Sequence, residues 1–308
     1  MAPLVITDTF VFWSIVRSEQ DNVRHEMENV VSAVEYNLKT EVERAATLGK
    51  SIYLNSYINE FLTRNYDSEL EFYNAYLAFM EDTLFESSLG SQQMKIVMYA
   101  DNPTIVSGSE FHQLGRVKNT EWYQEFSQYD QDVMLHCYYD TSGLLEASPS
   151  RKVSLIRRLN LYQRDGCEKV LKIDLDYSGM IRTLESMKYD FPVYVCEDGK
   201  ALLSNRSDQG MLKPLEPFAK RQEAAYSHEF QLYGQEIEIY VLQTRNNMLY
   251  YIEKNLPMVI FLVCINVLLP WLLVRNINRS LTHRITKLGQ VFSRGCEAEE
   301  LSLVEQVT

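Results

Sequence analysis

The spacing of apolar positions changes along the chain, and each change marks an element. After Asp21, Met27, Val30, Val34, Leu38, Val42, Ala45, Leu48 and Ile52 recur at steps of three and four. That is one stripe on a long helix, with Glu26, Glu28, Glu35, Lys39, Glu41, Glu43 and Arg44 mostly off it. No Gly or Pro interrupts before Gly49. Such a stripe packs on the helix's own domain or pairs with a twin helix in a homodimer. A second helical run, about residues 67–86, carries Phe72, Tyr73, Tyr76, Phe79 and Met80.

From Gly90 the texture turns to short β-type runs. Residues 95–99 form the first, closed by the turn Ala-Asp-Asn-Pro103. A short helix is expected around residues 120–126, then strands at 133–139, 153–159 and 169–175. The last two have the shape of adjacent antiparallel strands. Residues 177–187 read as a connecting helix. A smaller β-rich module follows, with strands at 191–196 and 201–204 around Glu-Asp-Gly199. A second hairpin joins 228–233 to 236–241 through Gly234-Gln235. In 236–240 charged and apolar residues alternate, as in a sheet with one wet face.

Residues 256–274 hold no charge and one amide, Asn266. As a helix, such a stretch is about 28 Å long, close to the hydrocarbon thickness of a bilayer. Pro257 falls in the first turn, where it costs little, and Pro270 predicts a kink that a membrane helix tolerates. Arg275, Arg279, Arg284 and Lys287 follow as a positive-inside flank. The segment before the span is therefore expected outside the bacterial cell membrane and the C-terminus inside. Residues 3–16 are apolar apart from Asp8 and a few hydroxyls, and are expected to be a first, truncated transmembrane helix.

The expected fold class is α+β: a long N-terminal helix and two PAS-like modules with antiparallel sheets, then a transmembrane helix and a partial linker helix. The segments are 1–19 (first membrane segment), 20–188 (long helix and larger module) and 189–248 (smaller module). Residues 249–274 (exit helix from Arg245 and span) and 275–308 (linker) complete the chain.

The net charge is −12 over 308 residues, and the tail after Val274 begins basic. The acidity therefore belongs to the long segment before it, and no basic stripe awaits nucleic acid. Cysteines stand at 137, 167, 196, 264 and 296 without CxxC spacing, so no disulfide framework and no metal site is read. A single Cys137–Cys167 or Cys167–Cys196 bridge stays open. The five histidines (25, 112, 136, 228, 283) show no HExxH and no pair at helical separation. No Gly-x-Ser-x-Gly elbow and no glycine-rich nucleotide loop occurs. No catalytic residue and no cofactor is expected. Asp174 and Asp176 form an acid pair on one strand face, without a second acid cluster for glycosidase chemistry.

Lys152-Val-Ser-Leu-Ile-Arg-Arg-Leu-Asn160 and Glu168-Lys-Val-Leu-Lys-Ile-Asp-Leu-Asp-Tyr177 resemble the last strands of the distal module in YesM-like sensor histidine kinases. Asn266-Val-Leu-Leu-Pro-Trp271 and the run at 277–288 resemble the same family's membrane exit and the first helix of a HAMP linker. The whole order resembles a double Cache (dCache) sensor region. The resemblance implies a ligand-sensing, transmembrane-signalling portion of a two-component kinase, cut within HAMP. It implies a homodimer in lipid that binds a sugar, an amine or an amino acid, and reaches a response regulator only through the kinase part. A chemoreceptor or diguanylate cyclase sensor, or a stand-alone membrane binding protein, is the alternative. His283 lacks the neighbours of a phospho-acceptor.

Amino-acid-binding members share Tyr-x4-Arg-x-Trp-Tyr, then Tyr-x-Asp, then a final Asp. Trp122-Tyr123, Tyr138-Tyr139-Asp140 and Asp174 match, while Thr120 stands at the arginine position and Gly115 at the first tyrosine. The resemblance thus implies a site of Tyr99, Trp122, Tyr123, Tyr138, Asp140 and Asp174, an aromatic wall with carboxylates. That chemistry suits stacking on a sugar or holding a cationic amine. Arg116 and Lys118 are candidate replacements for the missing cation.

Overall fold

The computed structural model describes residues 2–83, 94–141, 149–162, 166–206, 212–242 and 256–305. The fold is α+β, as expected. The chain divides into two compact units, 1–22 with 245–308, and 23–244.

In the first unit, helix α6 (Leu256–Glu305) runs unbroken through Pro270. Phe261, Val267, Leu268, Leu269 and Trp271 are exposed along it. Among the described residues no helix is long and apolar enough to cross a membrane. The side chains of Met258, Val259, Leu262 and Val263, inside the expected span, lie outside the described residues. The expected exit helix, from Arg245 to the span, falls within 243–255, also outside them.

The second unit is built on helix α1 (Ala2–Leu54) from Val23 onward. Its predicted stripe is its buried face: Met27, Val30, Val34, Leu38, Val42, Ala45 and Ile52 are all in the core. Gly49 does not end the helix. It lies where α1 passes over the sheet, and a Cβ there would touch Ile173 Cδ1 and Leu171 Cδ2 at 3.5 Å. Helix α2 (Ser56–Thr63) is capped by Asn55, whose Oδ1 accepts from Tyr57 N at 2.9 Å and Ile58 N at 3.2 Å. Helix α3 (Glu69–Thr83) follows, and the last residues of the expected second helix, 84–86, fall outside the described residues.

The larger sheet comprises β1 (Lys95–Ala100), β2 (Phe111–Gln113), β3 (Val133–Asp140), β4 (Ser150–Arg158) and β5 (Lys169–Asp174), in the order β2-β1-β5-β4-β3. The β4–β5 pair is antiparallel as predicted, but β2, unforeseen, pairs parallel with β1, so the sheet is mixed. Helix α4 (Glu121–Gln128) lies on one face, and α1 covers the other. Helix α5 (Tyr177–Ser186) leads to the smaller sheet of β6 (Val193–Glu197), β7 (Lys200–Ser204), β8 (Ala224–Leu232) and β9 (Gln235–Leu242). Its order is β7-β6-β9-β8, all antiparallel. Met98, Leu135, Leu155, Leu171 and Ile173 of the first sheet share one core with Val193, Val195, Leu203, Ile237 and Ile239 of the second.

Both hairpins turn through two positive-φ residues, Asp198 (47°) with Gly199 (70°), and Tyr233 (46°) with Gly234 (85°). Left-handed φ at both positions matches the right-handed twist of the flanking strands. The second turn sits one residue earlier than the sequence suggests. Gly234 is needed there, because an added Cβ would fall 1.8 Å from Tyr129 Oη. Strand β8, rather than β9, has the alternating wet face. In β9, Glu238 and Tyr240 are buried, because that strand lies inside the sheet between β6 and β8. No disulfide joins the candidate cysteines Cys137, Cys167 and Cys196.

Candidate functional site

Strand alternation sorts the larger sheet into two faces. Registers Ser154↔Asp174 and Ile156↔Lys172 on β4–β5, and His136↔Ser154 and Tyr138↔Lys152 on β3–β4, put these side chains on one face. Val97↔Lys172 and Tyr99↔Val170 add β1 to it. The end of this face nearest Val170, Ile156, Met134 and Phe126 is apolar. The other end carries Lys172, Asp174, Ser154, Lys152 and His136, all buried. Helix α4 closes over the face through Trp122 and Phe126.

Of the expected residues, Tyr99, Trp122, Tyr138 and Asp174 come together. Tyr99 and Trp122 have ring centroids 5.5 Å apart. Lys172 Nζ lies 5.6 Å from both the Trp122 and the Tyr138 ring centroids. Asp140, half-buried at the end of β3, is near enough for its charge to act on the Tyr99 and Tyr138 phenols. Tyr123 is turned elsewhere: its hydroxyl donates to Glu168 Oε1 at 2.8 Å. Asp174 is 5% exposed, not on a solvated face. Asp176 is not its partner on the strand but the N-cap of α5, accepting from Gly179 N at 2.8 Å.

The cation paired with Asp174 is Lys172. Its Nζ lies 2.6 Å from Asp174 Oδ1, with the two side chains 1% and 5% exposed. Lys118 instead pairs with Asp101 at 3.5 Å, and Arg116 is exposed. The signal was present: in Val170-Leu-Lys-Ile-Asp174 the two charges, two apart, share a face of an otherwise apolar strand. Ser154 Oγ donates to the same Oδ1 at 2.6 Å. Burial pushes the Asp174 carboxyl up. The Lys172 ammonium and the bonds from Lys172 and Ser154 more than offset this and hold it below its usual value. Burial likewise pulls Lys172 down, and the Asp174 carboxylate more than restores it. The pair is thus ionised at neutral pH.

Three buried polar atoms at this end lack a hydrogen-bond partner among the described residues: Asp174 Oδ2, Tyr138 Oη and His136 Nε2. Burial pushes the Tyr138 phenol up to about 12, against the opposing Lys172 charge, so it stays a donor. His136 stacks on Tyr138 with centroids 4.9 Å apart, and burial lowers its pKa to about 4, so it is neutral. Ser154 gives its proton to Asp174, and its cross-strand neighbour His136 makes no bond to it. The site therefore presents two buried lysines, Lys172 and Lys152, one half-used carboxylate, neutral donors and acceptors, and aromatic faces.

No family model matches the chain, and no curated protein sequence matches it. Among solved structures, the chain is similar to the ligand-binding domain of the Campylobacter jejuni chemoreceptor Tlp3 in complex with L-valine. That match has a TM-score of 0.47 and 14% identity, over 76% of this chain and 96% of that one. It is similar to the extracellular domain of vpHK1S-Z8, an inferred histidine kinase, with a TM-score of 0.46 and 10% identity over 72% and 91%. It is also similar to the ligand-binding domain of the Pseudomonas aeruginosa PAO1 amino acid chemoreceptor PctC in complex with GABA, with a TM-score of 0.42 and 12% identity over 69% and 96%. At these TM-scores, nothing about the site is taken from them.

Proposed function

We propose that this chain is the sensing portion of a membrane-anchored receptor, and that it takes a small zwitterion, such as an amino acid, at the Lys172–Asp174 site. One observation supports the reading above all: Asp174 Oδ2, buried beside an aromatic wall, has no partner among the described residues. Buried polar atoms in folded proteins are nearly always satisfied, so three orphans converging in one place call for a ligand. Lys172 supplies the carboxylate partner that Thr120 cannot, and Asp174 with Tyr138 supplies acceptors for an ammonium. Trp122 and Tyr99 add cation–π and apolar contact. The site binds and performs no reaction.

In this reading residues 256–274 are the anchor, supported by nineteen uncharged positions and the four basic residues that follow. The sensing unit faces outward, and the output is a histidine kinase, supported by the runs at 152–160, 168–177 and 277–288. The coding sequence beyond Thr308 tests the output: a phospho-accepting helix and ATP-binding domain support it, and a chemoreceptor bundle or cyclase domain refutes it.

Binding is tested by thermal shift of the full chain against amino acids, amines and sugars. A ligand at a hundred times its Kd adds about 2.7 kcal/mol. Amino acids that stabilise the wild type but not Asp174→Asn or Trp122→Ala support the reading. Stabilisation untouched by both substitutions overturns it.

A further inference from the structure

A cavity of about 130 Å³ opens between α1, α5 and the smaller sheet, away from the Lys172 site. Its wall is made by Val34 and Leu38 of α1, Met180 and Met187 of the α5 segment, and Val195 and Leu203 of the sheet. Two of the wall residues are methionines, whose flexible thioethers adapt to a guest.

The edge has a definite electrostatic sense. Glu41 and Asp176 both line the cavity, with Asn37 and Thr183, and no Lys or Arg is among the described lining residues. Arg44 and Arg182 pair with these carboxylates at 2.9 and 3.3 Å without themselves lining the cavity. Although each carboxylate has an arginine partner, Glu41 and Asp176 are the charged groups among the described lining residues, so the edge offers acceptors to a cation and no cation to an anion. A hydrocarbon-lined cavity of about 150 Å³ takes a benzene ring. We infer that this cavity is a second ligand site, for a small amine whose apolar body, about one ring in size, fills the hole and whose ammonium meets Glu41 and Asp176.

Benzylamine is the probe, with benzyl alcohol as the uncharged body of nearly the same shape. The full chain is labelled with ¹³C at methionine methyls, and Met180→Leu and Met187→Leu assign the two resonances. Benzylamine is expected to shift both methyls saturably, and benzyl alcohol to do so more weakly. Glu41→Gln weakens benzylamine by about threefold to fivefold, the range of a partly exposed ion pair, and leaves benzyl alcohol unchanged. Val34→Phe, which fills the hole, removes both responses, and far-UV circular dichroism checks that this variant folds. Where it does not fold, the Glu41→Gln comparison decides alone. Absence of saturable shifts at Met180 and Met187, shifts that survive in folded Val34→Phe, or equal weakening of both probes by Glu41→Gln overturns the assignment.

Discussion

Replacing Lys172 with methionine keeps much of the stem's volume and deletes one charge. In the wild type, Lys172 Nζ and Ser154 Oγ both satisfy Asp174 Oδ1, each at 2.6 Å. The substitution leaves a carboxylate that is 5% exposed with only the serine bond. Removing one partner of a buried ion pair typically costs about 3–5 kcal/mol, because the other charge stays desolvated. That is a large share of the roughly 5–15 kcal/mol that holds a domain folded. The loss has a definite pH dependence. In the wild type the folded-state pKa of Asp174 is depressed, so the pair's stabilisation is present above the unfolded value and fades as pH falls through the folded one. In Lys172→Met, burial is left to push the carboxyl up, and the penalty is full at neutral pH and shrinks toward pH 4 as Asp174 takes a proton. Lys172→Met is therefore expected to lose several kcal/mol at pH 7 and distinctly less at pH 4.5. The double substitution Lys172→Met/Asp174→Leu should lose less than the single one.

The assay is urea unfolding followed by tryptophan emission. Trp122 lies in the site, whereas Trp13 and Trp271 belong to the other unit, so Trp122 reports local melting. A loss below about 1 kcal/mol, within the range of exposed ion pairs, would refute the buried-pair reasoning, as would a loss that does not change with pH.

Glu197, 8% exposed, is pushed by burial up to about 8, despite the opposing bond from the Cys137 thiol. Stability tied to its protonated form is complete below the unfolded value of 4.5 and is lost as pH rises through about 8, on the order of 5 kcal/mol. Glu197→Gln should flatten the decline in melting temperature between about pH 5 and pH 8. Arg151, 1% exposed, donates to the carbonyls of Lys213, Pro214, Ala201 and Leu202 at 2.6–3.1 Å. Arg151→Met should cost about 3 kcal/mol or more by stranding those acceptors, read as a lower denaturation midpoint. Gly234→Ala meets both a left-handed φ of 85° and the Tyr129 hydroxyl, and should destabilise by more than about 1 kcal/mol. Gly234→Ala/Tyr129→Phe should recover part of that loss.

The elements were legible because each is written locally. The α1 stripe, the β4–β5 pair and the Asp198-Gly199 turn follow from periodicity and left-handed φ alone. What was not legible depends on partners far away in sequence. Nothing near Arg151 announces that residues 201–202 and 213–214 will supply its acceptors. Nothing near Gly49 says that the helix passes over Leu171 and Ile173 there. The aromatic wall was found from Trp122 and Tyr138, but the pattern directed attention to a cation near Thr120. The strand supplied it instead, because Lys172 and Asp174 share a face and can ionise together only as a pair. Tyr123, adjacent to Trp122, was lost to the site because a helix turns neighbouring side chains about 100° apart, which carries its hydroxyl to Glu168.

That pair also bears on how binding could be transmitted. Asp174 ends β5, and two residues later Asp176 caps α5. The next residue, Tyr177, is buried, with its hydroxyl donating to the Leu202 carbonyl of β7 at 2.6 Å, while Arg151 reaches the same carbonyl at 2.9 Å. The segment that holds the proposed ligand's ammonium is therefore hydrogen-bonded to the smaller sheet within three residues. A ligand shifts an equilibrium only by its difference in affinity for the two states. Here that difference has a physical source. The structure already spends the Lys172 charge on Asp174, so a zwitterion gains most from an arrangement in which the two charges separate to receive it. Because Asp174 is the more constrained of the two, tied to Ser154 and to the start of α5, the flexible Lys172 stem is the part expected to move. The rotamer of Lys172, with or without amino acid, is then the observable that distinguishes the two states.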